Sequence, residues 1–220
     1  MHYLLYFCDM NKLPLFFIDD NLAEFDLESA LPLLDPSRRE EALRYKSRSL
    51  QVQCAAAWLL LKRAIKEVFD INEMPAIVTG EHGKPYFIDF PDIHFNLSHC
   101  REAVACAVSN RPVGIDIESV RTPLNQSVAR YVLTDDELEA VNNAAIPELE
   151  FIRYWTLKES IVKLTGKGIA DDVKTVLKRY DNITHSQVTV DDKQRYVCTV
   201  TWFNEELPPD CCTSDEFLLI

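Results

Sequence analysis

Val113-Gly114-Ile115-Asp116-Ile117-Glu118 alternates apolar and acidic side chains, which is typical of a β-strand. Residues two apart on a strand share a face. Ile115 and Ile117 are therefore expected to face the core, while Asp116 and Glu118 lie side by side on the opposite face. The stretch predicts a strand that sets one apolar face against the fold and presents two carboxylates on the other.

Two carboxylates this close repel each other unless a cation neutralises them. Together with a third acid from elsewhere in the chain they suit Mg²⁺, which takes oxygen ligands and often shares them with a substrate's phosphates. A half-exposed edge strand with two solvated acids explains the same pattern without a metal. The strand alone does not decide between these interpretations.

The composition indicates a globular protein without a nucleic-acid footprint. The 220 residues are 47% hydrophobic, which is sufficient for a sizeable core. The net charge of −12 argues against a bulk nucleic-acid binder, although a local basic pocket for a small anion is compatible with it. No apolar run is long enough to span a membrane and the N-terminus lacks a basic leader, so neither a membrane segment nor a secretion signal is expected.

The cysteines predict a reducing, cytoplasmic setting. Their number is seven, and their spacings fit neither a zinc site nor a disulfide framework. They are expected to be plain thiols, including the neighbouring pair Cys211-Cys212.

The order of predicted elements indicates an α+β fold with two similar halves in a pseudo-twofold arrangement. A helical stretch over 37–69 precedes a run of short strands over 76–118. Helices return over 134–141 and 147–164, and two strands follow over 183–190 and 196–203. We expect an N-terminal half, 1–110, and a C-terminal half, 111–220, each a small antiparallel sheet packed with a long helix.

The predicted helix over 147–164 carries a second chemical segment. Trp155, Glu159 and Lys163 are spaced to line one face. Glu159 and Lys163 alone are compatible with an ordinary ion pair on a solvated helix. Beside Asp116 and Glu118, Glu159 becomes a candidate third metal ligand and Lys163 a candidate partner for phosphate.

Three further segments carry candidate anion contacts. Lys84 stands between Gly83 and Pro85 and could present a point charge to an anion, although an ordinary turn before a strand is the better explanation of this segment taken alone. Ser98 and His99 are adjacent, which does not make them a catalytic pair, and no nucleophile elbow surrounds Ser98. They could instead donate hydrogen bonds to phosphate, with a structural histidine as the alternative. The basic stretch Arg38, Arg39, Arg44, Lys46 and Arg48 is either a solvated helix face or a contact for an outer phosphate.

In this order, Gly-Lys-Pro, Asn-x-Ser-His, Gly-Ile-Asp-Ile-Glu and Trp-x-x-Lys-Glu-x-x-x-Lys resemble the motifs of the 4′-phosphopantetheinyl transferases. The chain length resembles the surfactin-synthetase-activating type, which carries two similar halves in one chain. The signature segments run from about residue 83 to residue 168.

The resemblance implies transfer of phosphopantetheine from coenzyme A to a serine of an apo acyl or peptidyl carrier protein, with release of adenosine 3′,5′-bisphosphate. It implies Mg²⁺ as cofactor and a monomeric enzyme, and it does not identify the carrier or pathway. The corresponding metal ligands are Asp116, Glu118 and Glu159. The corresponding contacts to coenzyme A are Lys84, Pro85, Ser98, His99 and Lys163.

The chain also departs from the family pattern. Cys100 stands where many members carry serine. Gln53 falls near the place of an arginine that contacts the 3′-phosphate, so Arg38, Arg44 or Arg48 is expected to replace it. The proton of the attacking serine would pass either to Glu159 or to a metal-bound water. The segment 122–141 is expected to take part in carrier docking.

Two other functions share these residues. One is hydrolysis of a nucleotide pyrophosphate by a Mg²⁺-dependent phosphoryl-transfer enzyme, which would need no carrier. The other is a coenzyme A-binding or carrier-binding module without catalysis. The presence of all three acids and Lys163 favours an enzyme over the module.

Overall fold

The computed structural model describes residues 4–6, 14–80, 83–167, 172–191 and 195–204. Cys8, Cys211 and Cys212 lie outside these residues, whereas Cys54, Cys100, Cys106 and Cys198 are free thiols. The strands are β1 Leu4–Tyr6, β2 Leu15–Asp19, β3 Ile77–Thr79, β4 Pro85–Phe87, β5 His94–His99, β6 Val104–Ser109, β7 Val113–Ser119, β8 Ile183–Asp191 and β9 Arg195–Phe203. The α-helices are α1 Leu27–Ala30, α2 Pro36–Arg44, α3 Arg48–Phe69, α4 Gln126–Val132, α5 Asp135–Asn143, α6 Pro147–Thr165 and α7 Val176–Arg179.

The first sheet consists of four antiparallel strands in the order β1-β2-β6-β5. Helix α3 packs on it because Ala57, Leu61 and Ala64 recur at helical spacing and are buried with the sheet's apolar residues. The continuous helix expected over 37–69 is wrong in one respect. The backbone is extended at Tyr45 and Ser47, and this break separates α2 from α3.

The second sheet is antiparallel in the order β7-β9-β8, and α6 packs on it. Pro147 occupies the first turn of α6, where its missing N–H leaves no hydrogen bond unmade. Gly166 ends the helix in the left-handed conformation, with φ 68°. The α+β class with one long helix on each small sheet is confirmed. The pseudo-twofold relation between the halves stays a prediction.

The two sheets meet along their edge strands β5 and β7. Side chains replace a backbone ladder at this seam. The amide oxygen of Asn96 accepts the N–H of Ile115 at 2.9 Å, and the hydroxyl of Ser98 accepts the N–H of Ile117 at 3.3 Å. Backbone donors buried at the seam are thereby satisfied.

One apolar cluster crosses this seam. It contains Phe16 and Ala105 from the first sheet together with Ile115, Ile117 and Val200 from the second. Before residue 110, β1, β2, β5 and β6 form the first sheet, while β3 and β4 pair as a separate two-stranded sheet. The strands from Val113 onward form the second sheet, and it shares core residues with the first. The division into 1–110 and 111–220 stays a prediction.

Helix α6 approaches β7 so closely that Gly114 has no room for a side chain. A Cβ atom at this position would lie 2.0 Å from the carbonyl oxygen of Ser160 and 2.6 Å from the backbone nitrogen of Leu164. Both obstacles are backbone atoms, so rotation of a side chain cannot relieve the overlap. Gly114 therefore allows the helix to lie directly against the strand.

Within the described ranges, no helix combines the length and the apolarity that crossing a bilayer requires.

We predict that Gly114→Ala forces α6 away from β7 and lowers the free energy of unfolding by about 3 kcal/mol or more, the upper range for overpacked cores. Urea unfolding measures this loss. Gly80→Ala is the matched control, because a Cβ there meets its nearest atom, Lys84 O, at 3.4 Å. Equal stability of the two variants would contradict the assigned role of Gly114.

Candidate functional site

Three candidate residues from three different elements form one hydrogen-bonded cluster. The Lys163 ammonium on α6 lies 2.7 Å from Oδ1 of Asp116 on β7 and 2.9 Å from the Ser98 hydroxyl on β5. The Ser98 hydroxyl also donates to Oδ1 of Asp116 at 2.9 Å. We call Ser98, Asp116 and Lys163 the site cluster.

The fold brings the site cluster together through the seam and the close approach of α6. Gly114 and Asp116 share one face of β7, and the backbone of Ser160 and Leu164 lies against Gly114. Lys163 lies between these two residues on α6 and pairs with Asp116, two positions along the strand from Gly114. Ser98 reaches the same carboxylate because its strand lies alongside β7.

Asp116 is not a solvated acid. It is 4% exposed, and Ile115 and Ile117 are fully buried on the other face of the strand. The alternative of an edge strand with two solvated acids is therefore wrong for Asp116. Lys163 pairs with this buried carboxylate, so the alternative of a simple Glu159–Lys163 pair on a solvated helix is wrong too.

The charge of Asp116 acts on both neighbouring candidate acids. Burial raises the pKa of Glu118 and of Glu159, and the Asp116 carboxylate raises each further. Lys163 opposes the rise for both, and Arg121 opposes it for Glu118. The site thus gathers more negative charge than the lysine balances.

One oxygen of Asp116 is left for a further partner. Oδ2 is buried and lacks a hydrogen-bond donor in the part of the chain that the structure describes. A buried carboxylate oxygen without a partner is costly. A cation offsets that cost, and carboxylate oxygens are the donors that Mg²⁺ prefers.

The chemistry of Asp116, Glu118 and Glu159 therefore fits Mg²⁺. Their geometry in the structure is not that of a finished metal centre. Among the described residues, no three His, Cys, Asp or Glu side chains are arranged as they would be around a metal ion.

An open groove of about 330 Å³ is lined in part by Glu118. Glu118, Arg121 and Trp155 line it together. The neighbouring Trp155 lowers the pKa of Glu118, against the larger effect of burial. Trp155 also stacks against Phe151, with ring centroids 6.2 Å apart. Val128 on α4 also lines the groove.

Lys84 makes different contacts from those expected of a phosphate ligand. Its ammonium donates to the carbonyl oxygens of Val113 at 3.1 Å and Leu164 at 3.0 Å, which ties the first half to β7 and α6. Burial lowers the pKa of Lys84 to about 8. Pro85 follows as the first residue of β4.

His99 is exposed at the end of β5, one residue beyond Ser98. Partial desolvation and the charge of Lys163 lower the pKa of this imidazole, while Asp116 raises it. His99 thus belongs to the electrostatic surroundings of the site cluster.

The structure does not join the nucleotide-end candidates to the site cluster. Arg38 pairs with Glu41 at 2.7 Å and lies over the ring of Trp58. Arg44 is exposed in the last turn of α2. Arg48 instead lines a second groove together with Arg101, two residues after His99. Gln53 is buried and donates to the carbonyl oxygen of Cys100.

Several supporting residues could not be assigned from the sequence. Asn96 belongs to the Asn-x-Ser-His segment, but its contact with Ile115 depends on the neighbouring sheet. Arg101 and Arg121 lie outside the motif segments. Lys158 stands beside Glu159 and yet is fully buried on the other side of α6. The sequence motifs identify these segments, but they do not show which residue of one segment contacts which residue of another.

Comparison with known proteins identifies one family. Residues 112–216 match the model of the 4′-phosphopantetheinyl transferase superfamily. The chain is 32% identical over 156 residues to a 4′-phosphopantetheinyl transferase of Bacillus pumilus, a match that covers 70% of this chain and 66% of that protein, just under two thirds. It is 36% identical over 157 residues to the 4′-phosphopantetheinyl transferase AcpT of Salmonella typhi, with 67% and 78% covered. It is 28% identical over 157 residues to the transferase Sfp of Bacillus subtilis, with 70% of each covered.

We predict that Lys84 makes stability rise with pH above 8. Its pKa is about 8 in the folded state against an ordinary 10.5, so between these values the unfolded chain binds more protons and each rise in pH favours folding. Urea unfolding of wild type and Lys84→Met measures this: their difference in free energy of unfolding should grow in favour of wild type across this range. Lys66→Met, on the exposed face of α3, controls for lysine titration in general. A difference that is flat with pH would contradict the burial of an ammonium at Lys84.

Proposed function

The chain belongs to the 4′-phosphopantetheinyl transferase superfamily, and from its site we propose that it transfers phosphopantetheine from coenzyme A to a carrier-protein serine. Adenosine 3′,5′-bisphosphate is the proposed leaving group. The observation that carries the proposal is the ion pair between buried Asp116 and half-buried Lys163, with Glu118 and Glu159 beside it.

We propose Mg²⁺ as the cofactor, held by Asp116, Glu118 and Glu159. The orphaned Oδ2 of Asp116 and the excess of carboxylates support this ligand set. When bound, the ion would neutralise charge on the pyrophosphate and on the leaving group.

The chain's own groups have separate proposed tasks. Lys163 brings a cation to the position where charge develops on the leaving phosphate. Glu159 is the proposed base for the serine proton, because it lies on the same face of α6 as Lys163 and beside Asp116. His99 and Ser98 are proposed to face the phosphates.

The contacts with the rest of coenzyme A are supported less directly. By family resemblance, Lys84 is proposed for the coenzyme A phosphates and Pro85 for packing beside the nucleotide. Arg38 and Arg44 are proposed for the 3′-phosphate on the same ground. An arginine can bind phosphate through two parallel hydrogen bonds, which suits this task.

The carrier protein is proposed to dock on the segment 122–141, beside the groove. On α4, Tyr131 is 81% exposed and Val128 is 40% exposed. Arg121 and Arg130 supply positive charge nearby, which suits an acidic partner although the whole chain carries −12. The proposed working form is a monomer in the cytoplasm, and the four free thiols suit a reducing compartment.

We predict that the chain adds the mass of phosphopantetheine to an apo carrier protein in the presence of coenzyme A and Mg²⁺, and that chelation of Mg²⁺ stops the reaction. Asp116→Asn should lower the transfer rate by roughly a hundredfold or more, because it removes a charge aimed at the reacting groups. Mass spectrometry of the carrier measures the transfer.

Glu67→Gln, a change on the exposed side of α3, is the control for this variant and should keep wild-type activity. Cleavage of coenzyme A without a gain of carrier mass would favour the hydrolase instead. Binding of coenzyme A without either reaction would favour a non-catalytic module. Full activity of Asp116→Asn would contradict the metal ligand assignment.

We predict that Tyr131→Ala weakens the carrier complex by about 1 kcal/mol or more, or roughly fivefold in affinity, because exposed aromatic anchors dominate such interfaces. The KM for the carrier should rise while the KM for coenzyme A stays unchanged. Leu33→Ala removes an equally apolar side chain, 59% exposed, from the other half of the molecule and should change neither KM. Unaltered carrier KM in Tyr131→Ala would place the docking surface elsewhere.

A further inference from the structure

Lys158 is a lysine with no access to solvent. It neighbours Glu159 in sequence, but its side chain leaves α6 on another side and is 0% exposed. A buried ammonium is stable only where oxygens surround it. The groups that surround the Lys158 ammonium, and the segments to which they belong, therefore indicate its role.

Four oxygens from three separate segments surround the Lys158 ammonium. Three are backbone carbonyls: Val132 at 3.2 Å, Val173 at 3.3 Å and Lys174 at 2.8 Å. The fourth is the carboxylate oxygen Oε2 of Glu137, at 2.8 Å. One side chain of α6 thus binds the end of α4, the start of α5 and the 3₁₀ turn Val173–Thr175.

Glu137 links this arrangement to the local helix start. The same oxygen that receives Lys158 also accepts the N–H of Thr134 at 2.8 Å, as part of a capping box. The spacing of Thr134 and Glu137 explains the capping box, and the ion pair between Glu137 and Lys158 connects the start of α5 to α6.

The end of α4 depends on such contacts. The helix has seven residues, too few to persist without tertiary support. Its last carbonyls have no partner within the helix, and Lys158 takes that of Val132. Lys174 takes the carbonyl of Arg130 at 3.2 Å from the same side.

The face of α4 away from these lysines is the exposed one. Ala129 and Val132 are buried, whereas Tyr131 faces outward and Val128 is exposed where it lines the groove. The lysines therefore fix the direction in which Val128 and Tyr131 point relative to the acids on β7 and α6.

We propose that Lys158 is a positioning residue for the carrier protein. It holds α4 at the orientation in which the carrier presents its serine to Asp116 and Lys163, and it does not contact either substrate. The inference rests on the proposed function. It separates Lys158 from its neighbour Glu159, which acts on the reacting groups.

Steady-state transfer assays with the full chain, coenzyme A, Mg²⁺ and an apo carrier protein test this inference. Lys158→Met keeps the length of the side chain and removes the donors. It should raise the KM for the carrier roughly tenfold or more, because a displaced α4 no longer matches the surface of the carrier that binds it. The KM for coenzyme A should change by less than about twofold.

Amide hydrogen exchange supplies a readout that does not depend on activity. Lys158→Met should speed exchange in α4 and at 173–176, while β7 keeps its protection. Lys174→Met should produce smaller changes in the same direction. Lys66→Met is the matched control and should change neither quantity.

Each outcome decides the inference. Equal rises of both KM values, a loss of kcat alone or unchanged exchange in α4 would assign Lys158 a general structural role instead. If Lys158→Met does not fold, the carrier KM of Lys174→Met decides: a selective rise supports the inference and an unchanged value overturns it. If wild type transfers nothing, the proposed function fails, and the exchange measurement alone then decides whether Lys158 positions α4.

Discussion

The contact between the α6 backbone and Gly114 is the constraint on which the site depends. A strand and a helix pack this closely only where one of them lacks a side chain, and here a Cβ would meet the carbonyl of Ser160 at 2.0 Å. The helix can carry Lys163 to the buried carboxylate of Asp116 because it lies at this distance. A conventional helix–sheet spacing would leave the lysine and the acid apart, and each would then need another partner.

The seam between β5 and β7 supplies the rest of the arrangement. Side chains of Asn96 and Ser98 satisfy backbone donors of β7, so two edge strands lie together without a continuous ladder. Ser98 serves the seam and the site cluster at once, since its hydroxyl also donates to Asp116. Residues of both sheets therefore form the site, and the apolar cluster that crosses the seam packs the two sheets against each other.

The outlines of the fold and of the site were predictable from local patterns. Alternation in β7 predicted which side chains enter the core, and Pro147 and Gly166 marked α6 almost to the residue. The break between α2 and α3, where Tyr45 and Ser47 are extended, was missed because neither glycine nor proline marks it. The partners of Lys84 were missed because its acceptors, Val113 and Leu164, are backbone carbonyls, which no residue type reveals.

The sequence by itself determined the chemistry available: three acids, a lysine at helical spacing from one of them, and motifs in an order that matches one family. Periodicity and residue type carry that information because they act over a few neighbouring positions. The tertiary structure decided which groups meet. It paired Lys163 with Asp116 rather than with Glu159, turned Lys84 toward carbonyl oxygens and buried Lys158 away from the acids beside it in sequence. These pairings depend on contacts between residues up to 80 positions apart in the sequence. Burial makes the contacts strong, because a charged group removed from water is stable only beside an oxygen or an opposite charge.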